Sequence, residues 1–166
     1  MSRMLIQSLW IFDVKNKLAK RADFKQGINI ITSDKENGND VGKSVLLKSL
    51  YHTLGADSIF DDKWEHTSKI YLVNINVNGQ EYYVYRYNKL FKIFTMDFNK
   101  VFETNNRIEL GQFLKDIYGF CVKLPNRKDD ELEITPPVFS YILNYVDQDY
   151  MSGSSFTSFN SLNHYA

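Results

Sequence analysis

Gly42, Lys43 and Ser44 stand directly before a run of apolar residues at helical spacing, and this is where the residue types and their order suit a definite chemistry. An ammonium, a hydroxyl and a residue without Cβ, placed where a loop enters a helix, can gather the oxygens of a polyphosphate. The free N–H groups of the first turn and the positive end of the helix dipole both face the anion. Gly42 lets the backbone approach closely. The Lys43 charge reaches the β- and γ-phosphates, and the Ser44 hydroxyl is placed for Mg²⁺. Upstream, Asn37, Gly38, Asn39, Asp40 and Val41 complete the loop as a source of backbone donors. The consensus for such a phosphate loop has a glycine where Asn37 stands; Gly38 follows one place later, and asparagine tolerates left-handed backbone better than most residues.

The elements that must position this group are legible on either side. The β-branched run at 28–32 (Ile28, Ile30, Ile31, Thr32 around Asn29) predicts a buried strand entering the loop. Val45, Leu46, Leu47, Leu50, Tyr51 and Leu54 predict the helix leaving it, ended by Gly55. Ahead of both, residues 4–14 predict a first strand, and 15–21 (KNKLAKR) a basic turn. Such a turn is ordinarily a solvated loop; next to the nucleotide it would offer Lys15, Lys20 or Arg21 to phosphate. Residues 70–77 and 81–87 flank Asn78-Gly79, a strong hairpin signal, and 90–95 predicts a further strand. The Tyr and Phe content of this meander could stack nucleic-acid bases, but cross-strand packing is the commoner cause. A helix is expected over 104–118, ended by Gly119. A charged loop follows at 125–133, Pro136-Pro137 bars a helix before it, and 138–146 reads as a helix or buried strand. From Met151 the composition turns Ser- and Asn-rich. This divides the chain into a nucleotide-binding lobe, 1–150, and a tail, 151–166.

Composition narrows the field. The chain has 166 residues, 43% hydrophobic and 15% aromatic, enough for one packed domain. Its formal net charge is zero, so no global basic field advertises nucleic-acid binding. The single cysteine, Cys121, reads as a small buried hydrophobe, and one cysteine suits a reducing cytoplasm. His52 and His66 lack metal-ligand spacing. Neither a membrane-length apolar run nor a signal peptide is expected.

The order of these parts resembles the N-terminal half of the ATPase head of ABC-type chromosome and repair ATPases, the SMC-, RecN- and SbcC-like P-loop families. The matching parts are an N-terminal strand pair, the phosphate loop, a helix ending in Leu54-Gly55, a hairpin bearing an arginine, and a late glutamine, Gln148, in YVDQD. The resemblance implies an α/β fold: a P-loop NTPase-like mixed sheet with an antiparallel β-subdomain. It implies ATP and Mg²⁺ as ligands. Lys43 and Ser44 would lie on the phosphates and metal, and Gln148 would sense metal and γ-phosphate as a catalytic and metal-contacting residue. It also implies a C-terminal ATPase lobe or a second head as partner, and DNA in the complete protein. The implied role is DNA repair, chromosome handling or defence against foreign DNA. A Walker B strand and a signature motif are absent: Asp61-Asp62 follows the loop too soon, and Asp129-Asp130 has no apolar strand before it. The chain alone is therefore not expected to hydrolyse ATP. The alternatives are a small P-loop phosphotransferase and a non-catalytic nucleotide-binding interaction module.

Overall fold

The structure, a computed structural model, describes residues 3–32, 42–126, 131–141, 151–152 and 155–156. Its organising element is a six-stranded sheet in the order β2-β1-β3-β4-β5-β6, in which every neighbouring pair is antiparallel. The strands are β1 (Met4–Asp13), β2 (Leu18–Asp23), β3 (Lys69–Val77), β4 (Gln80–Tyr87), β5 (Leu90–Thr95) and β6 (Lys100–Thr104). Helices α1 (Lys43–Thr53) and α2 (Arg107–Tyr118) cover one face. A short pair, β7 (Lys123–Pro125) and β8 (Leu132–Ile134), leads to α3 (Val138–Tyr141), and β9 (Met151–Ser152) pairs with β10 (Ser155–Phe156).

Period-two patterning makes this sheet. On β3, Tyr71, Val73, Ile75 and Val77 all point inward and are buried, and Leu9, Ile11, Val84, Phe91 and Ile93 join them from the flanking strands. Leu50 and Leu54 of α1, with Leu110, Leu114 and Tyr118 of α2, close the core from above. Phe102 of β6 stacks on Phe113 of α2 at 4.2 Å between ring centroids. The Asn78-Gly79 turn has positive φ at both residues (53° and 90°), the requirement of a tight primed hairpin. Helix α2 starts where the Asn106 side chain accepts from the Ile108 N–H and ends at Gly119 with φ 70°.

Two expectations are overturned. The mixed, P-loop NTPase-like sheet is replaced by an antiparallel one: hairpins join β1 to β2 and link β3 through β6 in turn, and the one long connection, from β2 through α1 to β3, brings β3 back antiparallel to β1. The strand expected at 28–32 is absent: these residues form no ladder, and Ile28 and Ile30 are 92% and 80% exposed. The cause is local. The Asn29 side chain accepts from the Lys25 N–H and donates to the Lys25 and Gly27 carbonyls, folding 25–29 on itself in competition with any strand. Smaller differences follow the same logic of pairing. Half of the basic turn is strand β2, set by its register against β1; β6 had no strong alternation to announce it; and Cys121 is only partly buried.

Candidate nucleotide site at the start of helix α1

Gly42 enters α1 with φ 80°, a left-handed conformation that favours glycine, and its carbonyl accepts the first helical bond from the Leu46 N–H at 3.0 Å. Among the described residues no side chain caps this end, and the first turn carries no carboxylate. Within the helix, then, no acidic side chain competes for its first-turn amides and the positive end of its dipole. In front of it lies a groove of about 560 Å³ whose lining includes Gly42, Lys43, Lys20, Lys69, Asp13 and Trp64. The sheet supplies the floor: Ile11 and Asp13 of β1, Leu18 and Lys20 of β2, and Lys69 of β3 meet there because β1 lies between its two antiparallel partners.

The charges in the groove are ordered. Lys69 Nζ lies 3.0 Å from the Asp13 carboxylate, both largely shielded from solvent, and 4.8 Å from the centre of the Trp64 ring. Hydrogen bonds from the Asn16 side chain and backbone, with Lys69 behind them, hold the Asp13 carboxyl down to about 2. Asp13 thus balances Lys69, leaving Lys43 and Lys20 as the groove's uncompensated cations among the described residues. The Trp64 indole is fixed by donating to the Tyr71 hydroxyl at 2.9 Å. Two uncompensated cations thus line a groove that has an aromatic and aliphatic wall.

The structure brings some of the sequence-derived residues together and separates others. Gly42 and Lys43 share the groove; Ser44 lies in the first turn of α1 but is exposed and does not line it. Asn37, Gly38, Asn39, Asp40, Val41 and Gln148 lie outside the described residues, as do Asp129 and Asp130. Of the basic turn, Lys20 enters the groove, Lys15 pairs with Glu65 at 3.2 Å, and Arg21 turns to the opposite face of the sheet, over Trp10. Asp13, Lys69 and Trp64 were not anticipated. Their only sequence signal was the placement of an acid at the end of one strand and a base at the start of another, and that is meaningless until the strands are paired. Asp61 caps a 3-10 turn by accepting from the Lys63 N–H, a structural use.

A larger cavity, about 930 Å³, opens at the other end of α1 beside His52, Asp57, Phe60, His66 and Arg86. Here Arg86, 5% exposed, donates to the His52 and Ala56 carbonyls at 2.6 and 2.8 Å, to Asp57 at 3.0 Å and to the Asn88 carbonyl at 2.9 Å. Arg107 binds the other oxygen of Asp57. The last turn of α1, the β4–β5 turn and the start of α2 are thus tied through one guanidinium and one carboxylate. No group of three or more potential ligands that could hold a metal occurs among the described residues.

This end also sets a pH dependence. Burial, then the Arg86 charge and His66, push the His52 imidazole down to about 2. A base whose folded pKa is depressed stabilises the fold above its unfolded value, near 6.5, and that contribution is lost as the pH falls from there toward 2. Lowering the pH from 7 to 5 should cost about 2 kcal/mol through His52, at 1.36 kcal/mol per unit below 6.5. The check is the urea midpoint at the two pH values, with His52→Phe expected to flatten the difference.

Comparison with known proteins shows where such a chain occurs. It is 43% identical over 162 residues to "Lamassu protein LmuB" from Bacillus cereus (strain VD014), a match covering 98% of this chain and 28% of the relative. It is similar to LmuB. A second LmuB, from Bacillus sp. (strain NCIM 5461 / CCTCC AB 2011126 / NIO-1130), is 31% identical over 147 residues, 88% of this chain and 25% of that protein. The chain therefore spans about a quarter of the length of the curated relatives it matches. No protein-family model matches it, and no solved structure does. These LmuB relatives, with the antiparallel sheet, replace the resemblance to SMC-, RecN- and SbcC-like ATPase heads. Among the described residues, no helix is long and apolar enough to cross a membrane.

Proposed function

We propose that this chain is a nucleotide-binding portion of a larger anti-phage defence protein of the LmuB kind, acting against foreign DNA in the cytoplasm. The defence role is carried from the relatives, which align with nearly the whole chain. The nucleotide role rests on one observation: the open N-terminus of α1, entered through left-handed Gly42, places Lys43 in a groove that also holds Lys20. The residues fit a polyphosphate such as that of ATP. Lys43 and Lys20 would meet its charge, the first-turn amides its oxygens, and the wall of Trp64, Ile11 and Leu18 its apolar portion. Ser44, exposed one residue further along, is the hydroxyl available to an accompanying Mg²⁺.

Calorimetric titration of Mg-ATP into the chain and into Lys43→Ala tests this. Loss of a charge-assisted phosphate contact should cost about 1.5–3 kcal/mol, roughly ten- to a hundredfold in affinity. Equal binding by both proteins, or none by the unmodified chain, overturns the nucleotide reading. The readout is binding, so it does not depend on whether the chain turns ATP over.

A further inference from the structure

The cavity of about 930 Å³ at the far end of α1 shares no lining residue with the groove at the start of that helix. Segments distant in sequence build it. His52 comes from the last turn of α1, residues 57–60 and 66–67 from the connection to β3, and residues 86–90 from the β4–β5 turn and its flanks. The turn is held by Arg86, whose Nε donates to the Asn88 carbonyl at 2.9 Å, and Asn88 makes the corner with φ 53°. The backbone from which Lys89 reaches the cavity wall is thereby fixed.

Three polar groups on this wall have capacity left over. His52 is 3% exposed, and its Nδ1 makes no hydrogen bond among the described residues. A buried polar atom without a partner carries a desolvation penalty, which a donor or acceptor brought by a ligand would remove. Lys89 stands in no ion pair among the described residues. Asp57, the one carboxylate lining the cavity among the described residues, is already engaged: one oxygen accepts from Arg86 at 3.0 Å, and Arg107 takes the other. Arg86 spends four of its five N–H groups on Asn88, His52, Ala56 and Asp57, and one Nη2 N–H has no acceptor among the described residues.

The rest of the wall is largely aromatic and apolar. The His66 ring lies over Phe60, 5.3 Å between centroids and 17° from parallel, and His52 meets both edge-on at 5.7 and 5.1 Å. His66 is only half-buried, so the stack ends on a ring that a further planar group can cover. The His52 imidazole, held down to about 2, is neutral at pH 7 and suits a neutral hydrogen-bonding atom. A ring to cover His66, a neutral heteroatom for His52 Nδ1 and a negative group for Lys89 and the Arg86 Nη2 describe one class of ligand. We propose that this cavity binds a small heteroaromatic anion, a nitrogen-containing ring that carries a phosphate or a carboxylate. Its volume lies within the range of small-molecule sites. This inference does not rest on what the groove at the start of α1 binds.

Calorimetric titration of the chain with adenosine monophosphate and with nicotinate tests the proposal, with adenosine and inorganic phosphate supplying the ring and the charge separately. One or both anions should bind, about tenfold or more tighter than adenosine or inorganic phosphate, and their ratio tells phosphate from carboxylate. Lys89→Gln removes a charge from an exposed turn, so circular dichroism melting should be unchanged while affinity falls about tenfold. Lys43→Ala, in the separate groove, should leave this binding unaltered. The ring nitrogens of His52, followed by nitrogen NMR, should shift as the bound anion is added. Failure of both anions to bind overturns the proposal. So does binding as tight in Lys89→Gln as in the unmodified chain, binding lost in Lys43→Ala, or a His52 signal that does not move.

Discussion

Replacing Arg86 by alanine should destabilise the chain by about 3–5 kcal/mol, the usual result of breaking a buried ion pair by removing one partner. The loss is large because the guanidinium satisfies several groups at once. The His52 and Ala56 carbonyls at the end of α1 lose their donor, the Asn88 carbonyl loses another, and Asp57 keeps Arg107 alone among the described residues. Each buried acceptor left without a donor carries its own desolvation penalty. Arg86→Lys should recover little, because one ammonium cannot span acceptors that the planar fork reaches together. Urea unfolding followed by circular dichroism reads the effect as a lower midpoint with an unchanged slope. A loss below about 1 kcal/mol would mean that the contacts are replaced by water.

Phe91→Ala should cost a similar amount, about 3–5 kcal/mol, for a different reason. Phe91 is 1% exposed, in the centre of the inner face, with the Arg86 guanidinium 4.7 Å above its ring. The substitution opens a cavity under the buried ion pair and removes the ring face that the cation rests on. Since Arg86 and Phe91 share this contact, the double variant should be less destabilised than the sum of the singles by about 0.5–3 kcal/mol. Strict additivity would show that the ring serves only to fill space. Phe91→Leu, which keeps most of the volume, should be the mildest of the set.

Much of the sheet was legible because its signals are short-range. The alternation of β3 and β4 and the Asn78-Gly79 turn between them need no knowledge of the rest of the chain. Helix α2 was legible for the same reason, from its apolar spacing and Gly119. The run at 28–32 misled because β-branched residues record a preference for a pleated, partnered surface, and a preference is not a partner. Asn29, which decides the local outcome, is a polar side chain inside that run. The mixed-sheet expectation fell with it. At the groove, Gly42 and Lys43 were legible as adjacent residues, while Asp13, Lys69 and Trp64 were not, since antiparallel pairing brings them in from distant positions. Arg86 showed only as an arginine in a strand; its inward direction follows from register with Val84 and Phe91.

The exposed isoleucines at 28 and 30 carry a cost in concentrated solution. A short β-branched stretch without charge, proline or a ladder partner is the kind of segment that copies of a chain use to add strand upon strand. What restrains it here is the Asn29 side chain, which holds the preceding residues in a bend and keeps the run from extending. That asparagine thus opposes strand formation by the exposed run, and Asn29→Val is expected to increase thioflavin-positive aggregation of the concentrated chain.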